Sequence, residues 1–339
     1  MARCSLFLTP EMATKRPPER RCSYVVLVRN AAASTAGLRD LATYLSTLGV
    51  ADCDVVILDP SPRYQFELNA RILRWVGRHV AVRREHCAGG GVDIVRAASA
   101  LAACEKVIVA TDDVRYSAEA VGQLCELLDA HEVVEPQDYL DPLPWWGGID
   151  AGRMLVHRGI EPQPDHGATF GFRRNAVRAL RALAAATSAD AQARRLAAVG
   201  AEVYPATHVF VRREPGALGE WWSSRPRLAG DDFDLPMKTA FFFSLVPLLV
   251  LLAVIGGLQL AGGYASVIAF ASVALALRGR AGASRFFPLR ACLFAPLWVL
   301  ERSLSVYWAL VRKLRGKDEG PSRVAVPDRA SGTKVASGE

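Results

Sequence analysis

Two uncharged stretches, Thr239–Leu258 and Leu260–Leu277, limit what this chain can become more than anything else in it. A helix rises about 1.5 Å per residue, so each stretch is long enough to cross the hydrocarbon core of a bilayer. The neutral Gln259 and the small residues around Gly262-Gly263 separate them, which predicts a helical hairpin with no charge at its tip. Pro247 and Gly256-Gly257 are tolerable in spanning helices, where neighbouring groups re-satisfy the freed backbone. Arg278, Arg280, Arg285 and Arg290 follow the second stretch. The positive-inside tendency places those arginines, the preceding chain and the C-terminus in the cytoplasm. Next, Leu293, Leu297, Leu300, Leu304, Trp308 and Val311 recur at intervals of three and four, with Glu301, Arg302, Arg312 and Lys313 elsewhere on the wheel. That pattern fits an amphipathic helix lying in the membrane interface better than a third span.

The formal charge of +7 comes mainly from arginine, and several arginines flank the apolar segments. With no nucleic-acid-binding motif behind it, this basicity reads as orientation charge, and no nucleic-acid partner is expected. Seven cysteines, odd in number and without a CxxC pair, argue against disulfides or zinc and for a reducing compartment.

Ahead of the hairpin the chain alternates. Tyr24–Val28, Asp54–Leu58, His79–Arg83 and Val107–Ala110 read as short buried strands. Helical spacing over Leu38–Leu48, Tyr64–Val76 and Val92–Cys104 separates them. Four alternations in about 110 residues predict an α/β fold with a doubly wound, mostly parallel sheet. Gly89-Gly90-Gly91 is neither a dinucleotide fingerprint nor a P-loop. The chemistry gathers where strands end. Asp59 follows the second strand, and Thr111-Asp112-Asp113 follows the fourth, at the edge where open α/β sheets bind ligands. Paired carboxylates are hard oxygen ligands for Mg²⁺ or Mn²⁺. The plainer alternative makes Asp113 the N-cap of a helix over Ala118–Asp129.

The order of strand, Asp59 after the second strand, Gly-rich loop, Ala-rich helix and TDDVRYSAEAVGQL resembles the GT-A domain of family 2 inverting glycosyltransferases. The stretch HGATFGFRR (residues 166–174) resembles that family's small-residue strand ending in an arginine. Ser188–Gly200 looks like its helix that opens with a catalytic base, and Glu220–Arg227 sits where its QxxRW-like element lies. The pattern departs in places: Thr111 replaces the first Asp, Leu228 replaces the Trp, and Asp190 is the only carboxylate near the base position. The irregular-looking Pro136–Pro144 and Trp145-Trp146-Gly147-Gly148 lie between these elements.

The resemblance implies a GT-A-type sheet and a metal-dependent, inverting transfer of sugar from a nucleoside-diphosphate sugar. Its site would comprise Asp190 as base, with Asp165 or Asp150 next in line. Asn30, Asp59, Asp112, Arg173 and Arg227 would bind donor, and Asp113 would bind Mg²⁺ or Mn²⁺. A membrane anchor fits a lipid-linked or membrane-proximal acceptor, and Trp221-Trp222 fit the headgroup level. The expected organisation is a disordered leader over 1–21, a catalytic domain over 22–236 and a membrane hairpin over 237–278. An interfacial helix over 284–315 and a disordered tail over 316–339 complete it. Two rivals remain. A nucleotidyltransferase would want a basic Gly-rich loop after the first strand, which Arg29–Thr35 lacks. A catalytically inactive GT-A-like membrane scaffold or partner subunit is the other.

Overall fold

The structure, a computed structural model, describes residues 20–29, 34–50, 52–82, 92–160, 169–179, 201–231 and 236–315. The expected leader before residue 20, the triglycine loop, Ser188–Gly200 and the tail from 316 lie outside them. β1 (Cys22–Leu27) and β2 (Cys53–Asp59) are buried along their whole length, so both faces of the sheet there are covered. α1 (Thr35–Val50), α2 (Arg63–Leu73), β3 (Arg78–Ala81), α3 (Val92–Leu101) and β4 (Lys106–Thr111) follow. The leucines at 38, 41, 45 and 48 all bury on one face of α1, against Tyr24, Val26 and Ile57 of the sheet. β3, β2, β1 and β4 lie side by side in that order, every pair parallel.

The second half of the sheet is mixed. β5 (Val114–Arg115), α4 (Ala118–Ala130), β6 (Val133–Leu140), α5 (Trp145–Ile160), β7 (Thr169–Arg173), α6 (Arg174–Ala179) and β8 (Val203–Arg213) build it. β7 sits antiparallel between β4 and β6, β8 pairs parallel with β6, and β5 pairs antiparallel with the end of β8. The result is the α/β, mostly parallel sheet expected from the alternation of strands and helices in the sequence.

Three local expectations are corrected. Ser117, not Asp113, caps α4, its hydroxyl accepting from the Ala120 N–H at 3.1 Å. Asp113 is four residues too early and is committed elsewhere. Pro136–Leu140 belongs to β6, and Trp145-Trp146-Gly147-Gly148 opens α5. Glycine is a poor helix former, but here packing outweighs propensity.

The packing that overrides it is close. α7 (Leu218–Asp231), α8 (Pro236–Arg280), α9 (Leu289–Cys292) and α10 (Ala295–Leu314) gather around α5. A Cβ on Gly152 would lie 2.8 Å from the Ala295 nitrogen, and one on Gly148 would lie 2.9 Å from the Phe294 ring. A Cβ on Gly159 would stand 2.1 Å from the Leu275 carbonyl oxygen, and one on Gly279 would stand 1.9 Å from that of Leu155. The α5 and α8 backbones therefore touch, which only glycine permits.

α8 is long and apolar enough to cross a membrane by length and composition. It is broken at Gly257, whose φ of 70° and ψ of −177° lie outside helical space and favour glycine. The chain doubles back there. Phe242 lies 5.5 Å from Trp298, which lies 5.3 Å from His157 of α5, beside the Gly159–Leu275 contact. In one straight helix Phe242 and Leu275 would stand about 50 Å apart. The hairpin expected from the sequence is present, with its turn two residues before Gln259.

Gly279→Val should force α5 and α8 apart and lower the thermal midpoint in detergent, at a cost of about 1–3 kcal/mol or more. Gly219→Ala, on α7 with open space around it, should leave the midpoint unchanged or raised. Equal behaviour of the two variants in a thermal unfolding assay would contradict the close-packing account.

Candidate active site

The C-terminal ends of β1 and β4 stand side by side, with Leu27 opposite Thr111. The Asp112 N–H donates to the Leu27 carbonyl at 3.1 Å, extending the ladder by one residue. Its carboxylate then turns back to accept from the Arg29 N–H at 2.8 Å. Asp112 is buried by this arrangement and holds the loop after β1 against the end of β4.

Asp113 faces the other way. One of its oxygens accepts from the Thr111 hydroxyl and the other from Arg213 Nε at 2.8 Å. The two-residue β5 makes this meeting possible. Val114 pairs with Arg213, and the Glu214 N–H donates to the Asp113 carbonyl at 2.8 Å, so residues 100 apart share one corner. Arg213 Nη1 also lies 3.6 Å from Asp138 Oδ2 on β6. Burial alone would raise the Asp113 pKa, but the Arg213 guanidinium and the Thr111 hydroxyl outweigh it and hold the carboxyl below its ordinary range.

From sequence, Arg115 is the cation nearest to Asp113. In the structure Arg115 turns away to Asp40 at 3.3 Å and Glu214 at 3.1 Å, and Arg213 takes its place. This bears on the expected Mg²⁺ or Mn²⁺. Both Asp113 oxygens are engaged by protein donors, and a guanidinium stands where a cation would neutralise the carboxylate. Among the described residues no three His, Cys, Asp or Glu side chains converge as a metal site. As arranged, this donor set does not fit a divalent cation.

Asp59 ends β2 and is fully buried. It accepts from the Ser61 N–H at 2.9 Å, Asn69 Nδ2 at 2.9 Å and, at 3.0 Å, from His79 Nε2, whose ring stacks on Phe66. Burial pushes its pKa up, but the bonds from His79, Ser61 and Asn69 bring it down to about 2. In this structure Asp59 locks the β2–α2 turn.

The remaining expected residues divide. Asn30, Asp165 and Asp190 lie outside the described residues. Arg173 is at the wrong end of the sheet for a donor contact. It pairs antiparallel with Lys106, the first residue of β4, whereas Asp112 and Asp113 follow the last. Thr169, at the other end of β7, is near the crevice edge, bonded to Tyr116 at 2.8 Å. Arg227 lies on α7, its side chain outside what the structure describes, and Arg225, two residues earlier, is fixed in the interior. Its Nη1 and Nη2 clasp Asp150 at 2.7 and 3.1 Å, and Trp221 Nε1 donates to the same carboxylate at 2.8 Å. Burial would raise the Asp150 pKa, yet Arg225 and Arg153 hold it low, so Asp150 is a clamped anion rather than a proton acceptor. Trp221 is thereby tied to the interior, while Trp222 is exposed, 6.1 Å from Trp308 of α10.

Sequence reasoning missed Arg213, Arg225 and Asp138. The run VYPATHVFV before Arg212-Arg213-Glu214 carries the β-branched signature of a strand, and a strand ending in charges was the available signal.

No family model and no curated protein matches this chain. Solved structures similar to it include a mannosyltransferase, PcManGT, from Pyrobaculum calidifontis in complex with GDP-Man and Mn²⁺. That match has 16% identity, covers 87% of this chain and 91% of that one, and has a TM-score of 0.47. S. aureus TarS 1–349 in complex with UDP-GlcNAc matches at 11% identity over 87% and 91% of the chains, with a TM-score of 0.41. Glucosyl-3-phosphoglycerate synthase from Mycobacterium tuberculosis matches at 15% identity over 64% and 84%, with a TM-score of 0.40.

Asp59→Asn should cost about 2–3 kcal/mol of stability at neutral pH. The folded pKa is depressed, so the contribution is complete above the unfolded value of about 3.9 and fades as pH falls toward 2. Urea titrations of wild type and variant should therefore converge with acidification. A gap that is constant or widening from pH 7 to pH 3 would sink the assignment.

Proposed function

We propose that this protein is a membrane-anchored glycosyltransferase that moves a sugar from a nucleoside-diphosphate sugar to a lipid-linked or membrane-proximal acceptor, with inversion. The observation that carries this reading is that the carboxylate edge and a helix with an exposed apolar face belong to one packed body. Leu293 just before α10 and Leu297, Leu300, Leu304, Trp308 and Val311 on it are exposed, while Trp298, Val299, Val306 and Ala309, with Arg302, Ser303 and Ser305, are buried. The first hairpin arm adds exposed Leu251, Val254 and Ile255, and Leu258 is exposed just past the turn. So large an apolar surface is unfavourable in water and favourable in lipid. Phe286, between hairpin and α10, stacks on Phe210 of β8 at 4.0 Å, three residues before Arg213. A lipid-held acceptor and a donor in the crevice would meet over that strand.

In this reading the donor diphosphate lies along the β1–β4 edge near Asp112 and Asp113, with Asp59 and Asn30 on the nucleoside side. The acceptor hydroxyl attacks the anomeric carbon opposite the leaving diphosphate, which inverts the configuration. A carboxylate takes the hydroxyl proton, and Asp190 is the residue proposed for it. The hairpin spans the cytoplasmic membrane, with the catalytic body, Arg278, Arg280, Arg285, Arg290 and the C-terminus inside.

Release of nucleoside diphosphate should be seen with at least one of a panel of nucleotide sugars when native membrane lipids supply the acceptor. Asp190→Asn should lower that turnover by more than about a hundredfold while leaving donor affinity alone. Unchanged turnover would remove Asp190 as base. No release with any donor would favour the inactive-scaffold alternative. A reporter fused after Gly316 should read cytoplasmic, and an external signal would overturn the two-span topology.

A further inference from the structure

We propose that Arg213, rather than a divalent cation, supplies the fixed positive charge of the crevice, so that the diphosphate of the donor binds without metal. The proposal rests on the nucleotide-sugar reading above and adds to it the chemistry of the charge partner.

The corner after β4 carries Asp112 and Asp113, and β6 brings Asp138 beside them. A diphosphate entering such a corner meets only repulsion unless a cation stands between. Arg213 occupies that position, Nε on Asp113 at 2.8 Å and Nη1 facing Asp138 at 3.6 Å. A guanidinium carries five N–H donors in a planar fork. Asp113 takes the Nε donor and Asp138 faces Nη1, leaving Nη2 without a protein acceptor among the described residues. The Arg213 side chain is 35% exposed, so it is not sealed off from solvent. Charge-assisted donation from Nη2 to a phosphate oxygen is the interaction this leaves open. A metal bridging Asp113 and Asp138 would have to expel the arginine that β5 and β8 pin there through the Val114–Arg213 pairing.

The test uses the full-length protein in detergent with UDP and GDP as probes, titrated calorimetrically in EDTA and again with Mn²⁺. At least one nucleotide should bind equally well in both. Mn²⁺ paramagnetic resonance should show no protein-bound metal when that nucleotide is present. Arg213→Gln should weaken binding in EDTA by about tenfold or more. The double variant Arg213→Gln, Asp113→Asn, which does not strand the Asp113 carboxylate, should show the same loss if the single variant fails to fold. Nucleotide binding that appears only with Mn²⁺, together with a bound-metal signal, would overturn the role of Arg213 and leave the glycosyltransferase reading standing. Full affinity in EDTA for a folded variant lacking Arg213 would also overturn it. Failure of both nucleotides to bind in either condition would remove both proposals together.

Discussion

The backbone contact between α5 and the returning arm of the hairpin is the constraint on which the rest of this structure depends. Gly159 and Gly279 approach so closely that a methyl group on either would strike a carbonyl oxygen. Small residues let helices meet at van der Waals distance where lipid offers no hydrophobic push between them. Once α5 is seated this way, Gly148 and Gly152 meet Phe294 and Ala295, and α10 is laid across the same face. The serines and Arg302 of α10 then turn inward and its leucines outward. The apolar surface is thus a consequence of packing, fixed relative to the sheet because α5 continues directly from β6.

Charge holds the joint between these layers. Asp150 on α5 is clasped by Arg225 and Trp221 of α7, and the geometry is bidentate. Removing either partner would leave a buried ion uncompensated, which is far worse than never burying the pair. A second ion pair, Asp113 with Arg213, closes the crevice. The two clusters are near enough that Asp150 also acts electrostatically on Arg213. The crevice and the exposed apolar surface therefore share a scaffold with little freedom to slide.

Much of this was legible in the chain. Short continuous apolar runs located β1, β2 and β4, because strands covered on both faces are apolar throughout, and period-3.6 spacing located the leucine face of α1. Asp112 and Asp113 were legible as crevice residues because the end of a parallel strand fixes where the next side chains point. The spacing of apolar residues from 293 to 311 identified an amphipathic helix, and two uncharged stretches too long for one span implied a turn, which the sequence put around Gln259 and Gly262-Gly263 and the structure at Gly257.

What the sequence by itself determined was the class of sheet, the hairpin and the position of the carboxylate edge, all products of local periodicity and chain direction. Only the tertiary structure decided which cation meets which carboxylate. Arg115, two residues from Asp113, turned to Asp40 and Glu214, while Arg213 arrived from a strand 100 residues away. Arg173 went to the far end of β4 because β7 runs antiparallel, a direction no local pattern encodes. Arg225 was fixed in the interior through Asp150, in a helix whose motif matches only in part. Ion pairs between distant segments depend on register and strand order. Those are set by the whole sheet closing at once, so no window of the sequence contains them.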